Sequence, residues 1–121
     1  MKARVAILVV CLALGALPAF AHHSVSMYDM AHPTTVVGVV TKVEWTNPHA
    51  YIYMDVKNAK GEIDHWAIEI DSPNFLKHNG WTSTTVKPGD TITCTGGRAK
   101  SGALTMRSTT VKLANGEELR S

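Results

Sequence analysis

Two alternating runs, joined by one turn, restrict what this chain can fold into. In Ala50 to Val56, the residues Ala50, Ile52, Met54 and Val56 share one parity and Tyr51, Tyr53 and Asp55 the other. In Ile63 to Ile70, Trp66, Ile68 and Ile70 alternate with His65, Ala67 and Glu69. A period of two places one side of a strand toward a core and the other away from it. Asn58-Ala59-Lys60-Gly61, between the runs, is turn chemistry, so the pair predicts an antiparallel hairpin.

The flanking sequence extends the pattern. Thr34 to Trp45 is rich in Val and Thr and reads as a long first strand bent at Gly38, because an isolated glycine in a strand marks a bulge or tight curve. Thr46-Asn47-Pro48-His49 is a turn that ends it. After the hairpin, Ser72-Pro73 starts a short helix, with a capping hydroxyl, proline at the first helical position, Phe75 and Leu76 on the apolar side, and Gly80 at the end. Lys87-Pro88-Gly89-Asp90 turns into a strand over Thr91 to Thr95, broken by Gly96-Gly97. A last hairpin runs from Leu104 to Leu113 around Ser101-Gly102. The expected fold class is all-β with one short helix: three strands, helix, two strands, the order of a five-stranded OB-like barrel with the helix plugging one end. An immunoglobulin-like sandwich would need about seven strands and no helix. Val39, Val43, Ile52, Met54, Trp66, Ile68, Leu76 and Ile92 are the expected core.

Residues 1–21 read differently. Lys2 and Arg4 precede an apolar run from Val5 to Leu17, and Pro18 stands before Ala19-Phe20-Ala21, the small-x-small pattern of a signal-peptidase site. The run of 13 residues falls short of the roughly 20 that a transmembrane helix needs. Cys11 follows Val9-Val10, too bulky for a lipoprotein junction. The expected organisation is a signal peptide over 1–21, a His-containing segment over 22–33 and a barrel domain over 34–121, exported to a periplasm without a membrane span.

That cut changes the charge. Loss of Lys2 and Arg4 takes the 12 Lys and Arg of the chain to ten, against 10 Asp and Glu. Proteins that neutralise phosphates carry a basic excess, so no nucleic acid is expected as partner. Cys94 becomes the only cysteine, which excludes an internal disulfide. It alternates with Thr91, Thr93 and Thr95 alongside Ile92 and reads as a small buried apolar residue.

Several stretches together carry a resemblance: His22-His23-Ser24, the run Val43-Glu44-Trp45-Thr46-Asn47-Pro48-His49-Ala50, Ser72-Pro73-Asn74, Gly80-Trp81, and Lys87-Pro88-Gly89-Asp90 followed by Arg98-Ala99-Lys100. The chain resembles the exported family called domain of unknown function 6152, with Val25 and Tyr51 at positions where Phe and Trp are expected. The resemblance implies export and a match across the whole mature chain, and it implies no particular activity.

The chemistry the residues suggest begins at the cut. A chain starting at His22 offers a metal its α-amine and its imidazole, and copper(II) favours several such nitrogens in a plane. His49, held in the turn after Pro48, is the expected third ligand, with His23 as the alternative. A cut after Phe20 would instead put a histidine third and make a tail-only copper site. The competing interpretation is a solvated tail with His49 as a hydrogen-bonding residue at the barrel end. Structural zinc wants four closed ligands, usually with cysteines, and is not expected here. His32, His65 and His78 read as isolated surface histidines. A second class of function uses the outer face of the hairpin, where Tyr51, Tyr53, His65 and Glu69 could bind an oligosaccharide or protein partner; OB-like barrels hold extended ligands on that surface. The plain alternative is that the two tyrosines simply cover the sheet. No nucleophile elbow, phosphate-binding glycine loop or His-Glu-x-x-His helix is present in the sequence, so a binding module rather than an enzyme is expected.

Overall fold

The computed structural model describes residues 23–121, and side chains from Val25 onward. The expected signal peptide and His22 lie outside the described residues, as does the side chain of His23. A single helical turn, α1 (His23–Ser26), leads to the strands β1 (Thr34–Glu44), β2 (Tyr51–Lys57) and β3 (Ile63–Glu69), the helix α2 (Pro73–His78), and β4 (Thr91–Arg98), β5 (Thr105–Lys112) and β6 (Glu118–Arg120). Strand order is β3-β2-β1-β4-β5-β6, and a parallel β3–β5 pairing closes the first five into a mixed barrel. This is the OB-like architecture, with its helix between the third and fourth strands. Among the described residues no helix is long and apolar enough to cross a membrane.

Each hairpin side chain keeps its expected parity. Ile52, Met54, Ile68 and Ile70 are buried, Trp66 is 6% exposed, and Ile92, Cys94, Met106 and Val111 complete the interior from β4 and β5. Leu76 of α2 is fully buried at the barrel end. Ser72 caps that helix by accepting from the Phe75 amide at 3.2 Å.

β1 departs from expectation. Val39 is 44% exposed and Val40 lies in the core instead. The register against β2 shifts between Val40 and Lys42, so a bulge there reverses the parity of the strand. Val36 and Val40 face inward before it, and Val43 packs against the core after it. Gly38 is a point of close approach rather than the bulge: a Cβ there would stand 2.6 Å from the Asp55 carbonyl oxygen. Nor do Gly96 and Gly97 break β4, which runs through them with a register shift between Thr95 and Gly96. A Cβ on Gly96 would drive into the β5 backbone, and one on Gly97 would meet Met30 and Asp29.

Two features are additional to the expected fold. β6 pairs with β5 at Thr110–Arg120, Val111–Leu119 and Lys112–Glu118, after a turn at Asn115-Gly116 in which Gly116 has φ +89°. The segment before β1 is strapped onto the barrel: Asp29 N donates to Arg98 O at 2.9 Å, Lys100 N to Met27 O at 2.9 Å, and Tyr28 bridges Ala99.

Candidate functional site

The β2–β3 register sets Tyr51 opposite Glu69, Tyr53 opposite Ala67 and Asp55 opposite His65. Parallel closure adds Arg107 beside Glu69. All of these carry outward parity, yet Glu69 is only 3% exposed, because the N-terminal strap covers it. The Tyr28 hydroxyl donates to Glu69 Oε2 at 3.0 Å. His49, at the end of the turn containing the cis Asn47–Pro48 peptide, brings Nδ1 to 3.1 Å from Glu69 Oε1. That approach is close enough for electrostatic attraction but lacks hydrogen-bond alignment, so Oε1 remains a buried oxygen without a hydrogen bond.

Arg107 extends the cluster. Its Nη2 donates to Asp71 Oδ2 at 3.0 Å, while Nη1 stands 3.8 Å from Glu69 Oε1 and makes no hydrogen bond. Asp71 is further fixed by accepting from the Ser72 amide at 2.7 Å. Burial pushes the Tyr28 hydroxyl above its ordinary pKa, the Thr105 hydroxyl opposes this, and the negative charge of Glu69 reinforces it. Tyr51 is raised by burial first and by Glu69 second. Both phenols therefore stay protonated and able to donate at neutral pH.

The expected outer-face residues divide into two groups. Tyr51 and Tyr53 are half-buried, with ring centroids 6.4 Å apart and planes 23° from parallel, forming a short aromatic shelf. Tyr53 OH donates to Glu44 Oε2 at 3.2 Å, and Lys42 Nζ donates to Glu44 Oε1 at 2.7 Å while standing 5.5 Å from the Tyr53 ring centre. The Lys42 contact holds the Glu44 carboxyl below the usual carboxylate range. His65 is exposed, with Nδ1 at 2.7 Å from Asp55 Oδ1. Glu69 belongs instead to the covered cluster, so the structure does not leave it open on the shelf as the sequence pattern suggested. The other two histidines are surface residues: His32 Nδ1 lies 3.1 Å from Asp29 Oδ2, and His78 Nδ1 donates to the Asn74 carbonyl at 2.7 Å.

Among the described residues, no group of three or more His, Cys, Asp or Glu is placed to hold a metal ion. Of the three expected copper ligands, only the His49 side chain is described. It is 30% exposed, and with Nδ1 turned to Glu69 its Nε2 has no hydrogen-bond partner among the described residues. Sequence reasoning missed Tyr28, Asp71 and Arg107. Outward parity for a Glu flanked by Ile68 and Ile70 was the available signal; its partners come from strand closure and from the strap, both non-local.

The chain has the fold of the mitochondrial single-stranded DNA-binding protein Rim1 of S. cerevisiae. One crystal form is 14% identical, with a TM-score of 0.51, over 69% of this chain and 93% of that one. A second form is 16% identical, with a TM-score of 0.49, over 69% and 92%. At this identity the likeness concerns fold alone. Among curated proteins no sequence matches the chain. The model of the family of unknown function DUF6152 matches residues 8–108, most of the length, and the chain belongs to that family.

Proposed function

We propose that this protein is an exported copper(II)-binding module in which His22, freed by signal cleavage, supplies amine and imidazole nitrogens and His49 supplies Nε2. The observation that carries the reading is the shared carboxylate: Glu69 faces His49 Nδ1 at 3.1 Å and accepts from Tyr28 at 3.0 Å. A carboxylate against one ring nitrogen orients a ligating histidine and favours metal at the other nitrogen. Tyr28 ties the N-terminal strap to that same carboxylate, and five residues, 23–27, lie between it and His22, a tether of at most roughly 20 Å fully extended. His23 is the alternative second nitrogen donor. The role is binding rather than catalysis, and the compartment is the periplasm.

Single-stranded DNA, named for the yeast protein, is not proposed as a partner here, because the expected mature chain has no basic excess. A second reading is favoured by one observation, the Tyr51–Tyr53 shelf, on which a sugar ring of an oligosaccharide or a flat side chain of a protein partner could stack. Replacing both tyrosines with Ser would abolish that binding and leave copper affinity unchanged.

The copper reading is tested by titrating copper(II) into the secreted protein, whose mass fixes the cut, into the same protein with an added N-terminal Met, and into His49→Ala. One equivalent should bind tightly to the first and more weakly to the other two. Affinity should also fall with pH through the imidazole range near ~6.5, since a ligating nitrogen must lose its proton. Equal affinity in all three proteins rules the site out.

A further inference from the structure

Beside the Glu69 cluster lies a second feature that the copper reading does not use. An open cleft of about 460 Å³ is bounded by Asp71 and Phe75, by the run Arg107 to Thr110 on β5, by Arg120 and Ser121, and by Met30 from the strap. Its size falls among small-molecule sites, which span roughly 300–1,000 Å³, and far exceeds the ~30 Å³ share of one water. The charged side chains lining it are two guanidiniums against one carboxylate.

The two arginines are held differently. Arg107 is largely buried and fixed by Asp71, which consumes one edge of its fork. Arg120 is exposed, and its guanidinium lies 5.9 Å from the Phe75 ring centre. Among the described residues that guanidinium has no carboxylate or hydrogen-bond partner. Only its backbone is engaged, the carbonyl accepting from Trp81 Nε1 at 2.7 Å. Hydroxyls on the floor are mostly spent on the fold: Ser108 donates to the Thr110 carbonyl at 2.9 Å, Ser121 to Ser108 at 2.9 Å, and Thr109 to the Thr95 carbonyl at 3.2 Å. The cleft thus presents a free planar cation at its rim and an apolar wall made by Phe75 and Met30. Such a surface suits a molecule with an anionic head and a flat or apolar body: Arg pairs with a carboxylate in a two-bond fork, and the body covers the ring.

We infer that this cleft binds a small organic carboxylate, its acid group on Arg120 and its apolar body against Phe75. The site is independent of copper. The Arg120 guanidinium would pair with any anion, while the volume and the aromatic wall select one with a carbon body.

The test uses metal-free mature protein, prepared over a chelating resin, and amide NMR shifts on addition of benzoate, benzamide or inorganic phosphate. Benzoate should move the amides of Arg107 to Thr110, Phe75 and Arg120 with saturation, and benzamide should not. Arg120→Gln should weaken benzoate binding by roughly tenfold or more, the usual loss for one charge-assisted pair. Because Arg120 is exposed, the variant should keep the wild-type spectrum elsewhere; Phe75→Leu provides a second variant that keeps the charge and should also weaken benzoate. Equal response to benzoate and benzamide, unchanged affinity in Arg120→Gln, or binding of phosphate with none of benzoate would each overturn the assignment. Copper affinity measured in Arg120→Gln should match wild type, which separates failure here from failure of the metal site.

Discussion

Three residues show how differently the fold tolerates change from point to point. Gly96 faces β5 so closely that a Cβ would stand 2.7 Å from Ser108 Cα and push into the Arg107 carbonyl. Neither neighbour is a flexible side-chain end, so relief requires moving a barrel strand. Gly96→Ala should therefore cost about 3 kcal/mol or more, at the upper end of overpacking effects. Gly102 has φ +86° but nothing near its would-be Cβ, and its replacement by Ala should cost only the smaller backbone strain, about 1 kcal/mol. Urea midpoints for the two variants should differ clearly, and equal losses would contradict the close strand contact. Trp66 is the third case. It is buried under the guanidinium of Arg98 at 5.1 Å, and Trp66→Ala should cost roughly 3 to 5 kcal/mol. An unchanged midpoint would refute the β3 register.

At the scale of elements, the strap over residues 27–30 is the piece to probe. Two backbone bonds to the β4–β5 end and the Tyr28 hydroxyl on Glu69 hold it. Tyr28→Phe removes the Tyr28 hydrogen bond to the buried Glu69 carboxylate, while ring packing stays. The loss should be about 1.5–3 kcal/mol, the range for a bond to a charged acceptor. Faster amide exchange at Asp29 and Lys100 should accompany it, and exchange unchanged at both would mean that the backbone pairing alone secures the strap. The elements also show what a sequence can reveal. Regular alternation made β2, β3 and the interior of β4 readable, and Ser72-Pro73 made α2 readable, because these signals are local. Val39 was misplaced because a bulge shifts parity without marking the residues that form it. β6 went unread although Asn115-Gly116 is a hairpin signal, since a three-residue strand has too few positions to show a period. The covered cluster at Glu69 was unreadable for a deeper reason. Its members, Tyr28, His49, Glu69, Asp71 and Arg107, meet only once the barrel closes in parallel and the strap lies over it.

For the molecule as a whole, closure around a thiol predicts how stability depends on pH. Cys94 lies fully buried on β4, and burial pushes its pKa from 9.0 up to about 12. The neutral thiol is the form the core accepts. Below pH 9 both folded and unfolded chains keep the proton, and the contribution of this group to stability is complete. Above pH 9 the unfolded chain loses the proton while the folded one retains it, so stability falls by at most about 1.4 kcal/mol per pH unit until the folded thiol itself ionises. Tyr28 and Tyr51, also raised by burial, add losses of the same sign from about pH 10 upward. The window between pH 9 and pH 10 therefore isolates the thiol. Chemical denaturation midpoints should hold steady from pH 7 to 9 and drop between 9 and 10 in the wild type. Cys94→Ala, less stable at neutral pH because it leaves a small void, should show a flatter profile in that interval and a shallower decline than wild type above it, up to about pH 12 where the folded thiol itself ionises. Parallel curves for the two proteins between pH 9 and 10 would mean that the thiol reaches water, and the barrel interior assigned to β4 would have to be redrawn.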